Sequence, residues 1–393
     1  MIKFKETLVE LIRGEEKMDK VGIITYHGAN NYGSLLQTYA LLHTVSNKLR
    51  KEAEIVNFIS EEQKQMYSLF FDNNSYKNIC KNIYILFKLY GKRKKKIQKF
   101  NEFRENYLKV RWEDSFDSVS LEVEKKYDAL LCGSDQIWNM HIDDFYDYYM
   151  LSFVNKAKKI SYAASMGGVK LNLTEDERKD VKRCLADFGG ISVRENIAAE
   201  VIGECIGNNI DININIDPVF LLDKEEWNNI ASERLIREEY IFFYSIDYND
   251  DSIQIAKWYS QKYNMPVIIL NTSWKSYMIC KDGIRSSEMQ GVQDFLSLIK
   301  YAKFILSGSF HGTAFSIIFN KPFYRIQRRS DKGFVVDDRV RTLFSKLNIE
   351  KREINIETYK QQGEKIYDID YTNINKLIEF ERNKSMEYLK NAL

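Results

Sequence analysis

The sequence predicts an α/β protein with two domains, each built on a mostly parallel sheet. Three observations predict this class: short apolar runs alternate with segments of helical periodicity, the alternation starts again near residue 238, and no repeat of fixed period breaks it. The chain has 393 residues, 44% of them apolar, which suffices for two full cores. Sheets of this kind bind ligands at the carboxyl ends of their strands, and two such domains add a cleft between them.

The first alternation predicts an N-terminal α/β domain over residues 19–222, preceded by an extension over residues 1–18. The extension is either a short amphipathic helix or a segment that the domain does not need. The apolar runs predict strands at 20–26, 52–59, 127–134, 158–165 and 189–196. Helices are predicted at 33–49, at about 75–109 as a basic helical insertion, and at 174–188 with Thr174 as the cap. The segment 215–222 closes this half.

The second alternation predicts a C-terminal α/β domain over residues 223–372, joined to the first near residues 222–237. Its predicted strands are 239–246, 266–270, 303–308 and 322–326. Its predicted helices are 292–302, 312–320 and one that starts within 337–349. One long helix over 373–393 is predicted to follow the domain.

Composition excludes several classes of protein. A net charge of +2 does not predict nucleic-acid binding. No run approaches the ~18 uncharged apolar residues of a membrane span, and the N-terminus lacks the apolar core of a signal peptide. Five cysteines without CxxC spacing are typical of reduced thiols. We therefore expect a cytoplasmic protein and, since no His, Asp or Glu cluster has ligand spacing, no metal and no cofactor.

The basic run "GKRKKK" (91–96) leaves two interpretations open. Such a run is usually a solvated helix face. The sharper hypothesis is contact with anionic lipid head groups, which would place the protein peripherally at the inner face of the membrane.

Two loops in the N-terminal half hold residues suited to chemistry. In "TYHGANNYGSLLQ", His27, Asn30 and Asn31 precede a helix start whose free N–H groups suit an anion, although a polar turn with an Asn cap has the same composition. In "CGSDQIWN", Asp135 follows a buried strand and is either a base, a ligand of hydroxyls or a cap of the next turn. Trp138 either stacks on a sugar or packs in the core.

Two later loops supply cations and hydroxyls. In "SVREN", Arg194 ends a strand and suits two-pronged contact with a carboxylate or phosphate, the alternative being a surface ion pair with a residue such as Glu200. In "SGSFHGTAF", Ser309, His311 and Thr313 surround a helix start that is suited to an anion. His311 is either a proton-transfer group or a histidine satisfied by a backbone carbonyl.

Three further charged residues leave both interpretations open. Asp217, before Pro218, either faces the cleft or only shapes the domain crossing. Arg339 and Arg341, at a helix start, either reach a phosphate or face solvent.

Taken together, these segments resemble the polysaccharide pyruvyl transferase family. The similarity covers roughly residues 19–350 and lies in an ordered set of motifs: "GIITYHGANNYGSLLQTYAL", "YDALLCGSDQIWN", "KKISYAASMG", "ISVREN", "DPVFLL", "SGSFHGTAFSIIFNKPF" and "DDRVRTLFSKLNI". The resemblance implies two Rossmann-like domains similar to GT-B glycosyltransferases. It places the acceptor on the N-terminal side of the cleft and the donor phosphate on the C-terminal side, and it makes residues 1–17 an extension.

The resemblance also implies an activity: transfer of pyruvate from the co-substrate phosphoenolpyruvate to two hydroxyls of a glycan sugar. The products are a cyclic ketal and phosphate, in the synthesis of bacterial capsule or exopolysaccharide, with a lipid-linked oligosaccharide as one form of the acceptor. The predicted catalytic residues are His311, Asp135 and Arg194. The predicted donor contacts are Arg194, Ser309, Phe310, His311, Gly312 and Thr313, and the predicted acceptor contacts are His27, Asn30, Asn31, Ser134 and Trp138. Family members often have an aspartate where this chain has Gly308, so a charge near the donor is missing.

Two other functions fit the same residues. A GT-B-type glycosyltransferase using a nucleotide sugar would share the cleft and the helix start, but it would release a nucleoside diphosphate instead of phosphate. An inactive relative would bind glycan without turning over a donor, and the joint presence of Arg194, His311 and Asp135 argues against it.

Overall fold

Two parallel sheets organise the part of the chain that the computed structural model describes, which is residues 19–118, 121–207, 211–331 and 333–393. The predicted extension over residues 1–18 lies outside the described residues. The first sheet contains β1 (Lys20–Ile24), β2 (Glu52–Ile55), β3 (Ala129–Cys132) and β4 (Lys158–Ser161), in the spatial order β2-β1-β3-β4. Bridges from Ile160 to Gly190 and from Ala164 to Val193 extend it with a parallel pair, β5 (Ile191–Val193) and β6 (Ile212–Ile214).

The second sheet lies in the C-terminal half. Its strands are β7 (Ile241–Tyr244), β8 (Val267–Ile269), β9 (Ile284–Ser286), β10 (Phe304–Ser307), β11 (Phe323–Ile326) and, after the short antiparallel hairpin of β12 (Arg329–Ser330) and β13 (Gly333–Phe334), β14 (Glu353–Ile354). The spatial order is β14-β11-β10-β7-β8-β9, and every pair is parallel. Strands β7 and β10 are buried along their whole length, as expected for a parallel sheet covered on both faces. The predicted α/β class with mostly parallel sheets is confirmed.

Helices cover both sheets. Their bounds are α1 (Tyr32–His43), α2 (Glu61–Met66), α3 (Tyr76–Tyr84), α4 (Tyr90–Phe103), α5 (Leu121–Glu124), α6 (Glu175–Leu185), α7 (Asn196–Ile206), α8 (Lys224–Asn228), α9 (Asp250–Tyr263), α10 (Val292–Tyr301), α11 (Phe310–Ile318), α12 (Asp338–Leu347), α13 (Tyr359–Gln362) and α14 (Tyr371–Ala392). π-Helical turns follow α1, α3 and α4, at Thr44–Lys48, Ile85–Leu89 and Arg104–Leu108. The predicted basic insertion is therefore a continuous helical segment. Among the described helices, none is both long and apolar enough to cross a membrane.

One apolar core joins the two halves. In it, α1 from the first half packs against α10 and α11 from the second, and the Tyr32 ring stacks on Phe295 with 5.1 Å between the centroids. The C-terminal helix α14 returns to the first sheet, where the Tyr388 hydroxyl donates to the Ser161 carbonyl at 2.8 Å. The cleft between the domains is thus bounded by elements that the shared core holds together.

Candidate functional site

The strand order of each sheet brings the loops singled out in the sequence to one cleft. The connections leave in opposite directions from β1 and β3 in the first sheet, and from β7 and β10 in the second, so that crevices form at these two points. Gly33, at the start of α1, lies against His311, at the start of α11. A Cβ at Gly33 would overlap the His311 ring, so only glycine permits this approach.

Arg194, Asp217 and His311 form a buried charged group across the cleft. Arg194 Nη1 donates to Asp217 Oδ2 at 2.6 Å, and His311 Nε2 lies 3.6 Å from the same oxygen. Burial alone would raise the pKa of Asp217, but the nearby His311 and Arg194, and the hydrogen bond from Arg194, hold it at about 2. Asp217 is therefore ionised at neutral pH. The sequence alone is compatible with two roles for Asp217, and the structure puts it, after β6 and before Pro218, at the centre of the site.

Several polar atoms in this group have unused hydrogen-bonding capacity. Within the described residues, Arg194 Nε and Nη2 and His311 Nε2 are buried and have no hydrogen-bond partner. The Arg194 guanidinium also lies 4.5 Å from the centroid of the Phe310 ring. Because unmet buried donors are costly, such a set in a cleft indicates a place for a ligand with acceptor atoms.

The first turn of α11 adds backbone donors to the same wall. Ser309 is the N-cap residue, and among the described groups its side chain makes no capping hydrogen bond. The amides at the start of a helix have no intrahelical acceptor, so the turn is suited to an anion. Gly312 is required here, since a Cβ would lie 2.6 Å from Ser307 Oγ and 2.8 Å from the Tyr244 ring. The hydroxyl of Thr313, by contrast, donates to the Ser309 carbonyl at 2.9 Å, which removes that side chain from the predicted donor contacts.

Glu195, next to Arg194, was not predicted as part of the site. Its side chain is fully buried, and burial raises its pKa to about 7, although Arg194 and Arg339 favour the carboxylate. Oε1 accepts from the Met166 amide at 2.8 Å, and Oε2 lies 3.7 Å from Arg194 Nε. Among the described polar atoms, Glu195 Oε2 is also buried without a hydrogen-bond partner. Glu195 can thus change the net charge at Arg194 near neutral pH.

A second charged cluster lies beside the first. Arg339 donates to both oxygens of Asp337 at 2.8 Å, and Arg325 Nη2 is 3.6 Å from Oδ2. Burial alone would raise the pKa of Asp337, but Arg339 and then Arg325 hold it well below its usual range. The cluster borders a cavity of about 340 Å³, which Gly308 also lines. A Cβ at Gly308 would overlap Ser245 Oγ, so the space an aspartate would need is filled by Ser245.

Asp135 lies at the carboxyl end of β3 with its carboxylate fixed from two sides. Oδ2 accepts from the Ser34 hydroxyl at 2.5 Å, and Oδ1 accepts from the Gln136 amide at 2.9 Å. Its backbone is held at φ 72°, a conformation that is uncommon for aspartate and that the surrounding structure must maintain. Asp135 is half-buried, so it remains open to a ligand.

Three of the predicted acceptor contacts lie in the core, and the structure removes them from the site. Both ring nitrogens of His27 are engaged, by the Thr25 carbonyl and by Asn57 Oδ1, and burial lowers its pKa to about 4. The Ser134 hydroxyl donates to the Ala163 carbonyl at 2.5 Å. The Trp138 indole donates to the Tyr149 carbonyl at 2.9 Å. All three side chains are fully buried.

The other two predicted acceptor contacts, Asn30 and Asn31, border a second cavity of about 340 Å³. It lies between the basic insertion and the loop after β8, and its aromatic lining is Tyr32, Tyr67, Phe71, Tyr244, Trp274 and Tyr277. Arg93 and Lys96 enter it from α4, and burial lowers the pKa of Lys96 to about 7. Among the described buried atoms, Arg93 Nε, Asn271 Oδ1 and Ser273 Oγ in this lining have no partner. Aromatic faces with unmet polar groups are suited to a sugar.

Solved structures establish the class of fold. A UDP-N-acetylglucosamine 2-epimerase from Rickettsia bellii is 14% identical with a TM-score of 0.50, over 95% of this chain and 96% of that one. A Listeria monocytogenes protein assigned as a UDP-N-acetylglucosamine 2-epimerase is 8% identical with a TM-score of 0.50, over 93% and 94%. The similarity spans both domains, so this is a GT-B-like protein of two Rossmann-like domains, as the sequence predicted.

The family follows from the sequence motifs. The family model for polysaccharide pyruvyl transferases matches residues 31–330 of the chain. The chain belongs to the polysaccharide pyruvyl transferase family, which indicates a transferase with a glycan acceptor. A search of curated proteins found no match.

Proposed function

We propose that the protein transfers pyruvate from phosphoenolpyruvate to two hydroxyls of a glycan sugar, giving a cyclic ketal and phosphate. The observation that carries the proposal is the set of unpaired donors on Arg194 and His311 beside the start of α11, counted among the described residues. Phosphoenolpyruvate carries a phosphate and a carboxylate, so its site must supply cations and amides for two anions. Family membership supports the same reaction.

We place the donor between the two charged clusters. Arg194 and the first turn of α11 would hold the phosphate, and Arg339 and Arg325 lie beside the adjoining cavity for the carboxylate. Asp217 is ionised, and its Oδ2 lies 3.6 Å from His311 Nε2. We assign to His311 the transfer of a proton to the donor or to its departing phosphate.

The chemistry requires an acid and a base. A proton adds to the methylene carbon, and the central carbon becomes the electrophile. One sugar hydroxyl bonds to that carbon and loses its proton, the bond to the phosphate oxygen breaks, and the second hydroxyl closes the ring. The two hydroxyl protons balance the proton that the methylene carbon gains and the one that the phosphate carries away. Asp135, fixed by Ser34, is the proposed base on the attacking hydroxyl.

We place the acceptor in the second cavity. Asn30 and Asn31 lie at its edge, and Asn31 also caps α1, whose Gly33 contacts His311. A sugar stacked on these aromatic side chains would therefore lie near the donor wall, since Asn31 and Gly33 both belong to the start of α1. The unpaired Arg93 Nε, among the described atoms, favours an acceptor with acidic or phosphate groups.

The test is to incubate the protein with phosphoenolpyruvate and a panel of glycans, following phosphate release and the new ketal methyl signal by proton NMR. Parallel reactions contain nucleotide sugars. Phosphate together with the methyl signal supports the proposal. Release of a nucleoside diphosphate would identify a glycosyltransferase, and glycan binding without turnover of either donor would identify an inactive relative.

A further inference from the structure

The segment from α3 to the start of α4 turns an apolar helix face outward. Tyr76 is 81% exposed, Ile83 54%, Leu86 54% and Phe87 77%. These positions recur at helical spacing, so they form one stripe together with Ile79 and Tyr90. The opposite face is the one that packs inward, through Ile85 and Leu89. An apolar helix face that is exposed to solvent typically marks an interaction surface.

The same segment is strongly basic. Between residues 73 and 101 there are eight lysines, one arginine and neither Asp nor Glu. Lys77, Lys88, Lys92 and Lys94 flank the apolar stripe and are exposed. None of these four lysines forms an ion pair with another described residue. Their charge is therefore available to a partner with many negative groups.

We propose that this helical segment docks onto the surface of an anionic lipid bilayer. Exposed aromatic and aliphatic side chains enter the boundary between head groups and acyl chains, and flanking lysines contact the lipid phosphates. The docking face adjoins the second cavity, since the Tyr84 ring lies 5.4 Å from Trp274 in the cavity lining. If that cavity holds the acceptor, which rests on the proposed function, the bilayer would present a lipid-linked glycan beside it. Docking itself does not depend on that function.

The test is co-sedimentation of the full chain with vesicles of phosphatidylcholine alone or mixed with phosphatidylglycerol. We expect sedimentation with the mixed vesicles and weakening by salt. Phe87→Asp should lower binding about tenfold or more, because it replaces an inserted ring with a charge. Phe380→Asp is the matched control, since Phe380 is 65% exposed on α14 and should leave binding unchanged.

The outcomes separate the lipid surface from other occupants. Wild-type protein that stays in the supernatant, or Phe87→Asp protein that binds like wild type, overturns the proposal. Thermal melting of each variant checks the fold, which an exposed position should not disturb. Light scattering detects a dimer: a dimer that Phe87→Asp dissociates, without vesicle binding by the wild type, would show that a second copy covers the face. Joint replacement of Lys92, Lys94 and Lys95 by glutamine should abolish the preference for anionic vesicles.

Discussion

His311 receives contacts from both halves of the chain, since Gly33 lies against one side of its ring and Asp217 lies 3.6 Å from Nε2. If the ring moves a proton, its loss removes one acid–base contribution, typically about 10² to 10⁴-fold. We therefore expect His311→Ala to lower turnover by that factor while the melting temperature stays close to wild type. Phosphate release measures turnover. His141→Ala, on the surface beside Glu177, is the control, and near-normal turnover by folded His311→Ala would exclude the assigned role.

Glu195 predicts a pH dependence of donor binding. Its pKa of about 7 means that it ionises as the pH rises through neutrality, and the carboxylate then offsets the charge of Arg194. We expect the KM for phosphoenolpyruvate to rise across this range, with a smaller change in kcat. In Glu195→Gln the neutral side chain persists, so the rise should be lost. Wild type and variant share the substrate's own ionisation, so equal profiles for the two would contradict the prediction.

At the scale of single residues, the sequence showed which side chains could carry the chemistry better than it showed what surrounds each of them. Arg194, His311 and Asp135 could be selected because each follows an apolar strand at a point where ligands bind. Glu195 was missed because nothing local shows that its carboxylate is enclosed. Trp138 was wrongly predicted as an acceptor contact for the same reason: its indole donates to the Tyr149 carbonyl, which belongs to a later turn of the chain.

The starts of α1 and α11 meet at Gly33, and this contact can be tested with paired glycine substitutions. Gly33→Ala would press a methyl group into the His311 ring, so we expect a loss of about 1–3 kcal/mol in unfolding free energy, with a loss of turnover. Gly91→Ala in α4 is the control, because a Cβ there has open space among the described residues and should stabilise by at most ~1 kcal/mol. Urea unfolding and phosphate release measure both effects. Similar stability and turnover for the two variants would contradict a role of the Gly33–His311 contact in the site.

Whole elements could be predicted where apolar runs are long and end clearly. Strands β1, β3, β7 and β10 are buried almost throughout, so their runs were visible. Strand β9 has only three residues, one of them the exposed Arg285. It is a strand because it pairs with β8, and this pairing cannot be seen in the local sequence. Strand β6 and α9 were also missed, and the segment 215–222 is mainly a 3-10 turn capped by Asp217. The positive charge of "GKRKKK" is evident from the sequence. Which face of α3 is exposed could not be predicted, because it depends on which side of the helix packs against the rest of the protein.

For the molecule as a whole, His27 predicts loss of stability in acid. Its folded pKa of about 4 lies below the ordinary value of 6.5, so between these values the unfolded chain binds more protons and stability falls as the pH is lowered. The full effect is on the order of 3 kcal/mol. Urea unfolding at several pH values should show a steeper decline for wild type than for His27→Gln. His141→Gln should decline like wild type, and a slope in His27→Gln equal to wild type would refute the assignment.

If the cleft binds the proposed donor, Asp217 also has a consequence for which anions can enter it. It is a built-in carboxylate that already shares Arg194, so an incoming ligand competes with a neighbour that cannot diffuse away. A ligand with one negative charge gains little from that exchange, whereas a doubly charged phosphate gains more. On the proposed function, Asp217 would therefore favour doubly charged anions over singly charged acids before any bond is made or broken.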